Sequence, residues 1–175
     1  MKRLFLLRHA KTVQDTGEGD HARILTERGR DDAALIGHYM DMRGYLPDAV
    51  LCSTSARTRE TWDILSGELA RVPEPAFTRA LYLASAKKML SLVQDVPDEV
   101  GSLLVIAHNP GTEELAAKLA RKPKSEAETE KLAKLKNKYS TGGLTVFDFD
   151  QKAWKDVTLG EGILLEFVRP KDLYD

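Results

Sequence analysis

The stretch RLFLLRHAKT, residues 3–12, decides how the rest of the chain is read. Residues 4–7 are four consecutive apolar side chains, the pattern of a strand covered on both faces. Arg8 and His9 follow without a spacer, so this strand carries a permanent cation and a titratable ring directly out of the core. Two further continuous runs behave alike. Residues 49–52 pass into Ser53, Thr54 and Ser55, with Arg57 in the first turn of a helical pattern. Residues 103–107 pass into His108, Asn109, Pro110 and Gly111, and a helix follows again.

Helical patterns fill the intervals. Thr26 is placed as an N-cap with Glu27 in the first turn, and Leu35, Ile36, Tyr39 and Met40 share a face before Gly44. A second helix is expected from near Ser55, carrying Trp62, Leu65 and Leu69 before Pro73. A third is expected over about 86–96, with Met89, Leu90 and Val93 inward. A fourth follows Thr112, with Leu115, Leu119 and Ala120 apolar. This alternation predicts an α/β fold of three layers, α/β/α, around a mostly parallel doubly wound sheet. The stretches 142–150 and 162–169 read as two more strands, close enough in sequence to pair directly. Between 121 and 138 the charges alternate in sign, and Leu132 and Leu135 alone offer packing, which predicts an exposed helix joining two core elements.

Composition narrows the classes. The 175 residues have no linker or repeat that divides them, so a single domain over 1–175 is expected. A net charge of −1 gives no reason to expect nucleic acid or an anionic membrane as partner. The N-terminal apolar run stops at Arg8, too short for a secretion signal or a membrane span. The lone Cys52 allows no internal disulfide and suits a reducing, cytoplasmic setting. Nothing in the sequence calls for more than a monomer.

In a doubly wound sheet, ligands bind beyond the carboxyl ends of the strands. Arg8, His9, Arg57 and His108 are therefore expected to gather at one edge, with two helix N-termini pointing at the same place. Arginine offers a rigid fork matched to phosphate oxygens. A neutral imidazole is a nucleophile, and flanking cations keep its pKa from rising. Those residue types together read as a phosphate pocket with a group able to attack phosphorus, and they require neither cofactor nor metal.

The same residues carry a resemblance. LLRHAKT resembles the Arg-His-Gly signature of the histidine phosphatase superfamily, which has the phosphoglycerate-mutase-like fold. STSARTRET resembles its second element, in a register that selects Arg57 with Thr61 rather than Arg59. VIAHNPG resembles the third element, and RILTERG the entry to the first long helix. The length, HNPG and TGGLTVFDFD are most similar to the SixA-like phosphohistidine phosphatases. The resemblance implies His9 as phosphoryl acceptor, Arg8, Arg57 and His108 as catalytic partners, and a phosphorylated protein or small phosphorylated metabolite as substrate. It also implies Arg23 as a substrate guide, and Lys11 and Asn109 are expected on the rim.

Two departures stand out. Ala10 occupies the position of the usual glycine, which suits it only at negative φ. The family's mutases and many of its phosphomonoesterases carry an acid between the second and third elements, yet no Asp or Glu occurs from 75 to 94. An alcohol leaving phosphorus needs that proton. Imidazole needs it far less, since its conjugate acid has a pKa of about 6.5 against about 10 even for a phenol. The gap therefore favours phosphohistidine over phosphomonoesters, and both over a mutase reaction. A phosphate-binding module without turnover is the reading from a different class. Cys52 and Arg57 are separated by four residues, where the cysteine phosphatases have five. His21 is expected to be solvated and His38 to pack on its helix. No pair among His9, His21, His38 and His108 has metal-ligand spacing.

Overall fold

Inside β1 (Lys2–Arg8) successive side chains enter opposite layers, Leu4 and Leu6 one apolar cluster, Phe5 and Leu7 another. That two-sided burial is why the run is continuous rather than alternating. The computed structural model describes residues 1–174. Among them, five strands join β1 in one mixed sheet: β2 (Ala49–Ser53), β3 (Pro75–Thr78), β4 (Ser102–Ala107), β5 (Leu144–Phe149) and β6 (Ile163–Val168). Their order in space is β3-β2-β4-β1-β5-β6. The first four run parallel, with Leu4 opposite Leu103 and Arg8 opposite Ala107. Strand β5 is antiparallel to β1, and β6 is antiparallel to β5.

Helices cover both faces. On one, Ile36 and Met40 of α1 (Glu27–Met42) and Trp62 and Leu65 of α2 (Ala56–Ser66) pack on Phe5, Leu7, Leu104 and Ile106. The other holds α3 (Ala86–Gln94), α4 (Gly111–Leu119) and α5 (Glu126–Asn137), whose Met89, Val93, Leu115, Leu119 and Leu135 meet Leu4, Leu6, Leu103 and Val105. The expected three layers are present. Thr26 and Ser55 cap their helices by accepting from Gly29 N and Thr58 N, each worth about 1 kcal/mol.

The connection that positions the site lies at the centre. Strands β1 and β4 are neighbours, yet the helix after β1 lies on one face and the helix after β4 on the other. Such a reversal opens a crevice beyond the strand ends. Arg8, His9 and His108 stand at its mouth.

Four details differ from expectation. The edge strand β3 has no apolar run to announce it, and its Pro75 is tolerated because nothing pairs with its outer side. The second helix ends at Ser66, so Leu69 is buried from the turn beyond it. The third ends at Gln94, and Ala120 lies past α4, bridging to Gly162. The charged helix α5 is mostly exposed, as its composition suggests. Leu135 is fully buried, and Lys134 reaches Asp172 at 2.7 Å.

Candidate active site

Both neighbours of β1 fix its end. Arg8 N donates to Gly143 O at 3.1 Å, and His9 N to Ala107 O at 3.2 Å. Gly142 N in turn donates to the carbonyls of Arg8 and His9. Ala10 is fully buried and has negative φ, so it fits where a glycine was the expected residue. Its N–H donates to Thr61 Oγ1 (3.1 Å), while the Thr61 hydroxyl donates to Arg57 O (2.7 Å). One threonine thus ties the first motif to the second.

His9 Nδ1 donates to Ala10 O at 2.8 Å. A carbonyl can only accept, so the proton sits on Nδ1 and the lone pair of Nε2 is free. Burial above all pushes the imidazole down to about 3, opposed by the Ala10 hydrogen bond and aided by the nearby Arg57, Arg8 and Arg23. The ring is neutral at physiological pH and ready to act as a nucleophile.

Around it lie the other three predicted residues. The His9 and His108 ring centroids are 5.3 Å apart. His108 Nε2 and Ser53 Oγ share a hydrogen bond of 2.8 Å, and burial, then His9 and Arg57, lowers this imidazole also to about 3. Arg57, in the first turn of α2, is buried. It donates through Nη1 to Asp20 O (2.7 Å) and through Nη2 to Asp20 Oδ2 (3.0 Å). Arg8 donates through Nη1 to Tyr139 O at 3.0 Å. Three buried atoms of these residues, Arg8 Nε, Arg57 Nε and His108 Nδ1, have no hydrogen-bond partner in the protein. Leaving a buried polar group unpaired costs about 1–3 kcal/mol, so three in one place mark a site shaped for a polar ligand.

The cleft that these residues share measures about 360 Å³, and Lys11, Arg23 and Asn109 line it too. All seven predicted site residues therefore converge. Arg23 donates to Val13 O and to Asp20 Oδ1 (2.9 Å), and Asn109 donates to Tyr139 O (3.1 Å). The Tyr139 carbonyl holds Arg8 and Asn109 together, and its own hydroxyl donates to Leu6 O. Arg59 faces elsewhere, donating to Thr54 O and lying over Phe77.

Sequence reasoning missed four contributors: Ser53 as partner of His108, Tyr139, Asp20 and Tyr82. Tyr82 donates to Asp20 Oδ2 and presents its ring to both His108 and His21. His21 is a correction. It is partly buried, its Nε2 shares a hydrogen bond with Thr54 Oγ1 (2.9 Å), and its ring meets Tyr82 edge-on at 4.7 Å. The three-residue helical turn at Asp20–Ala22 folds that polar loop back onto α2. His38 is exposed on α1, away from the site. Cys52 is buried, and desolvation pushes its thiol up to about 12, which excludes it as a thiolate nucleophile.

Comparison with known proteins agrees with this geometry. Residues 4–81 match the model of the histidine phosphatase superfamily, branch 1. An uncharacterized protein of Mycobacterium tuberculosis is 35% identical over 170 residues, covering 94% of this chain and 100% of its own. Among solved structures, a protein from Agrobacterium tumefaciens described provisionally as the phosphohistidine phosphatase SixA is 30% identical, with a TM-score of 0.78 over 97% of this chain and 99% of that one. The protein of the same provisional description from Nakamurella multipartitia is 28% identical, with a TM-score of 0.81 over 97% and 96%. The family match and the likeness in sequence and fold agree: the chain belongs to the histidine phosphatase superfamily and is SixA-like.

Proposed function

We propose that this protein hydrolyses phosphohistidine, carried by a signalling or phosphotransfer protein, in two steps through His9. In the first, His9 Nε2 attacks phosphorus in line while the bond to the leaving imidazole breaks. That ring keeps the electron pair and departs neutral, because its other nitrogen already carries a proton. In the second, water attacks phospho-His9, the electron pair returns to Nε2, and inorganic phosphate leaves with the protons of the water. Arg8, Arg57 and His108 hold the equatorial oxygens, each contact contributing about 1.5–3 kcal/mol in binding and more as charge gathers in the transition state. Lys11, Arg23 and Asn109 guide the substrate at the rim.

The observation that carries this reading is the convergence of His9, its Nε2 lone pair free, with the unpartnered Arg8 Nε, Arg57 Nε and His108 Nδ1. The choice of phosphohistidine has separate support. The segment between the second and third motifs presents the apolar Leu83 to the cleft, and no carboxylate occurs from 75 to 94.

The test compares phosphate release from a phosphohistidine-bearing protein with release from an alkyl phosphomonoester, in the wild type and His9→Ala. We expect rapid His9-dependent release from the first and far slower turnover of the second. Comparable rates on both would mean that an acid protonates the leaving oxygen and that the enzyme serves small phosphomonoesters. Phosphate bound by a wild type inactive on both would leave a binding module.

A further inference from the structure

Asp20 is, among the described residues lining the cleft, the one carboxylate. Its position needs a reason. Oδ1 accepts from Arg23 Nη1 at 2.9 Å, and Oδ2 accepts from Arg57 Nη2 at 3.0 Å and from the Tyr82 hydroxyl. A negative charge on two of the cations that would bind phosphate weakens the hold on any phosphate dianion. A site serving phosphate alone would gain by losing it. The carboxylate also makes a poor general acid. The Tyr82 hydrogen bond, with those of Arg23 and Arg57, holds it well below the usual carboxylate range, so it carries no proton to give.

An ionised carboxylate is, however, the right partner for one class of leaving group. The P–N bond of a phosphoimidazole breaks readily only while the far ring nitrogen is protonated, and that N–H needs an acceptor. Asp20 has acceptor capacity left, since each carboxylate oxygen offers two lone-pair sites and Oδ1 uses one of them. Its side chain is 40% exposed, open to an incoming ring. Leu83, half-exposed at the same cleft and held at φ 51°, supplies an apolar wall.

We infer that Asp20 accepts a hydrogen bond from the ring N–H of the substrate's phosphoimidazole, so that the side of the cleft bearing Asp20 and Leu83 is a subsite for the leaving ring. This rests on the phosphohistidine reading and deepens it. In the first step the P–N bond breaks, its electron pair stays on the ring, and the proton already on the far nitrogen remains there, shared with Asp20. No proton enters from the protein, and the ring departs as neutral imidazole.

The test is the ratio of kcat/KM for phosphoimidazole to kcat/KM for p-nitrophenyl phosphate, measured in the wild type, Asp20→Asn and Asp20→Ala. Any displacement of Arg57 penalises both substrates and cancels in the ratio. The expected result is a ratio about 10- to 100-fold lower in both variants, the worth of a charged hydrogen bond. Equal losses on the two substrates would overturn the inference and leave Asp20 as a residue that merely positions Arg57. A selective loss on an alkyl phosphate, run in parallel, would overturn it in favour of a general acid. A wild type that turns over p-nitrophenyl phosphate but no phosphoimidazole would remove the phosphohistidine reading itself, and the acceptor role with it.

Discussion

A single hydrogen bond decides what His9 can do. The Ala10 carbonyl accepts the hydrogen bond of Nδ1–H, so Nε2 is left as the nucleophilic nitrogen, and buried surroundings with three arginines keep the ring neutral. Arg57 has an equally specific geometry: two of its nitrogens are committed to Asp20 and the third is left unpartnered. Arg57→Lys keeps the charge but cannot do both. It should lower kcat/KM by about 10²–10³, measured on p-nitrophenyl phosphate, and a loss under threefold would contradict a bidentate role. The two histidines also make stability depend on pH. In the unfolded chain both titrate near pH 6.5, whereas in the folded protein both are pushed down to about 3. Between those values the unfolded state binds more protons, so their contribution is complete above about pH 6.5 and is lost as pH falls toward 3. Urea midpoints should therefore be lower at about pH 5.5 than at about pH 7. The drop should shrink in a His9→Gln, His108→Gln double variant, and an unchanged drop would assign it to other groups.

At the scale of elements, the site depends on two helices approaching loops closely enough to exclude a side chain. A Cβ added at Gly29 of α1 would lie 2.0 Å from the Lys11 carbonyl oxygen, and one at Gly111 of α4 would lie 2.1 Å from that of Ala84. Both neighbours are backbone and cannot swing aside. Gly29→Ala should destabilise the fold by about 1–3 kcal/mol and shift the loop that follows His9. A lower urea midpoint, an unchanged m-value and a raised KM are expected together, and wild-type values of all three would refute the close approach. The runs ending at Leu7, Cys52 and Ala107, the caps Thr26 and Ser55, and the four-residue step from Arg57 to Thr61 are local patterns, and each predicts where its neighbours lie. Strand β3 was not legible because four residues beginning with proline carry no period. Asp20, Tyr82 and Tyr139 were not legible because they reach the site through folded contacts. Asp20 meets Tyr82, which is 62 positions away in the chain, and Tyr139 holds Arg8 from 131 away.

For the whole molecule, the uneven distribution of charge matters more than its sum. The net charge is −1, yet Arg8, Lys11, Arg23 and Arg57 meet in one cleft with Asp20 as the sole carboxylate among its described lining residues. Field lines focused there should draw phosphorylated substrates, and salt should screen the approach. Raising ionic strength from about 0.05 M to about 0.5 M should increase KM several-fold with kcat nearly constant, and a salt-independent KM would argue that substrate is recognised by apolar contacts. The fold as a whole serves to bring two histidines from adjacent strands to 5.3 Å. The measurement that bears most directly on that arrangement is a millisecond quench after mixing with phosphohistidine, followed by mass analysis of the peptide containing His9. The account predicts one phosphoryl group on His9, chased into free phosphate with time, and neither signal in His9→Ala. Phosphate release that persists in His9→Ala, or a phosphoryl group on any other residue, would contradict it.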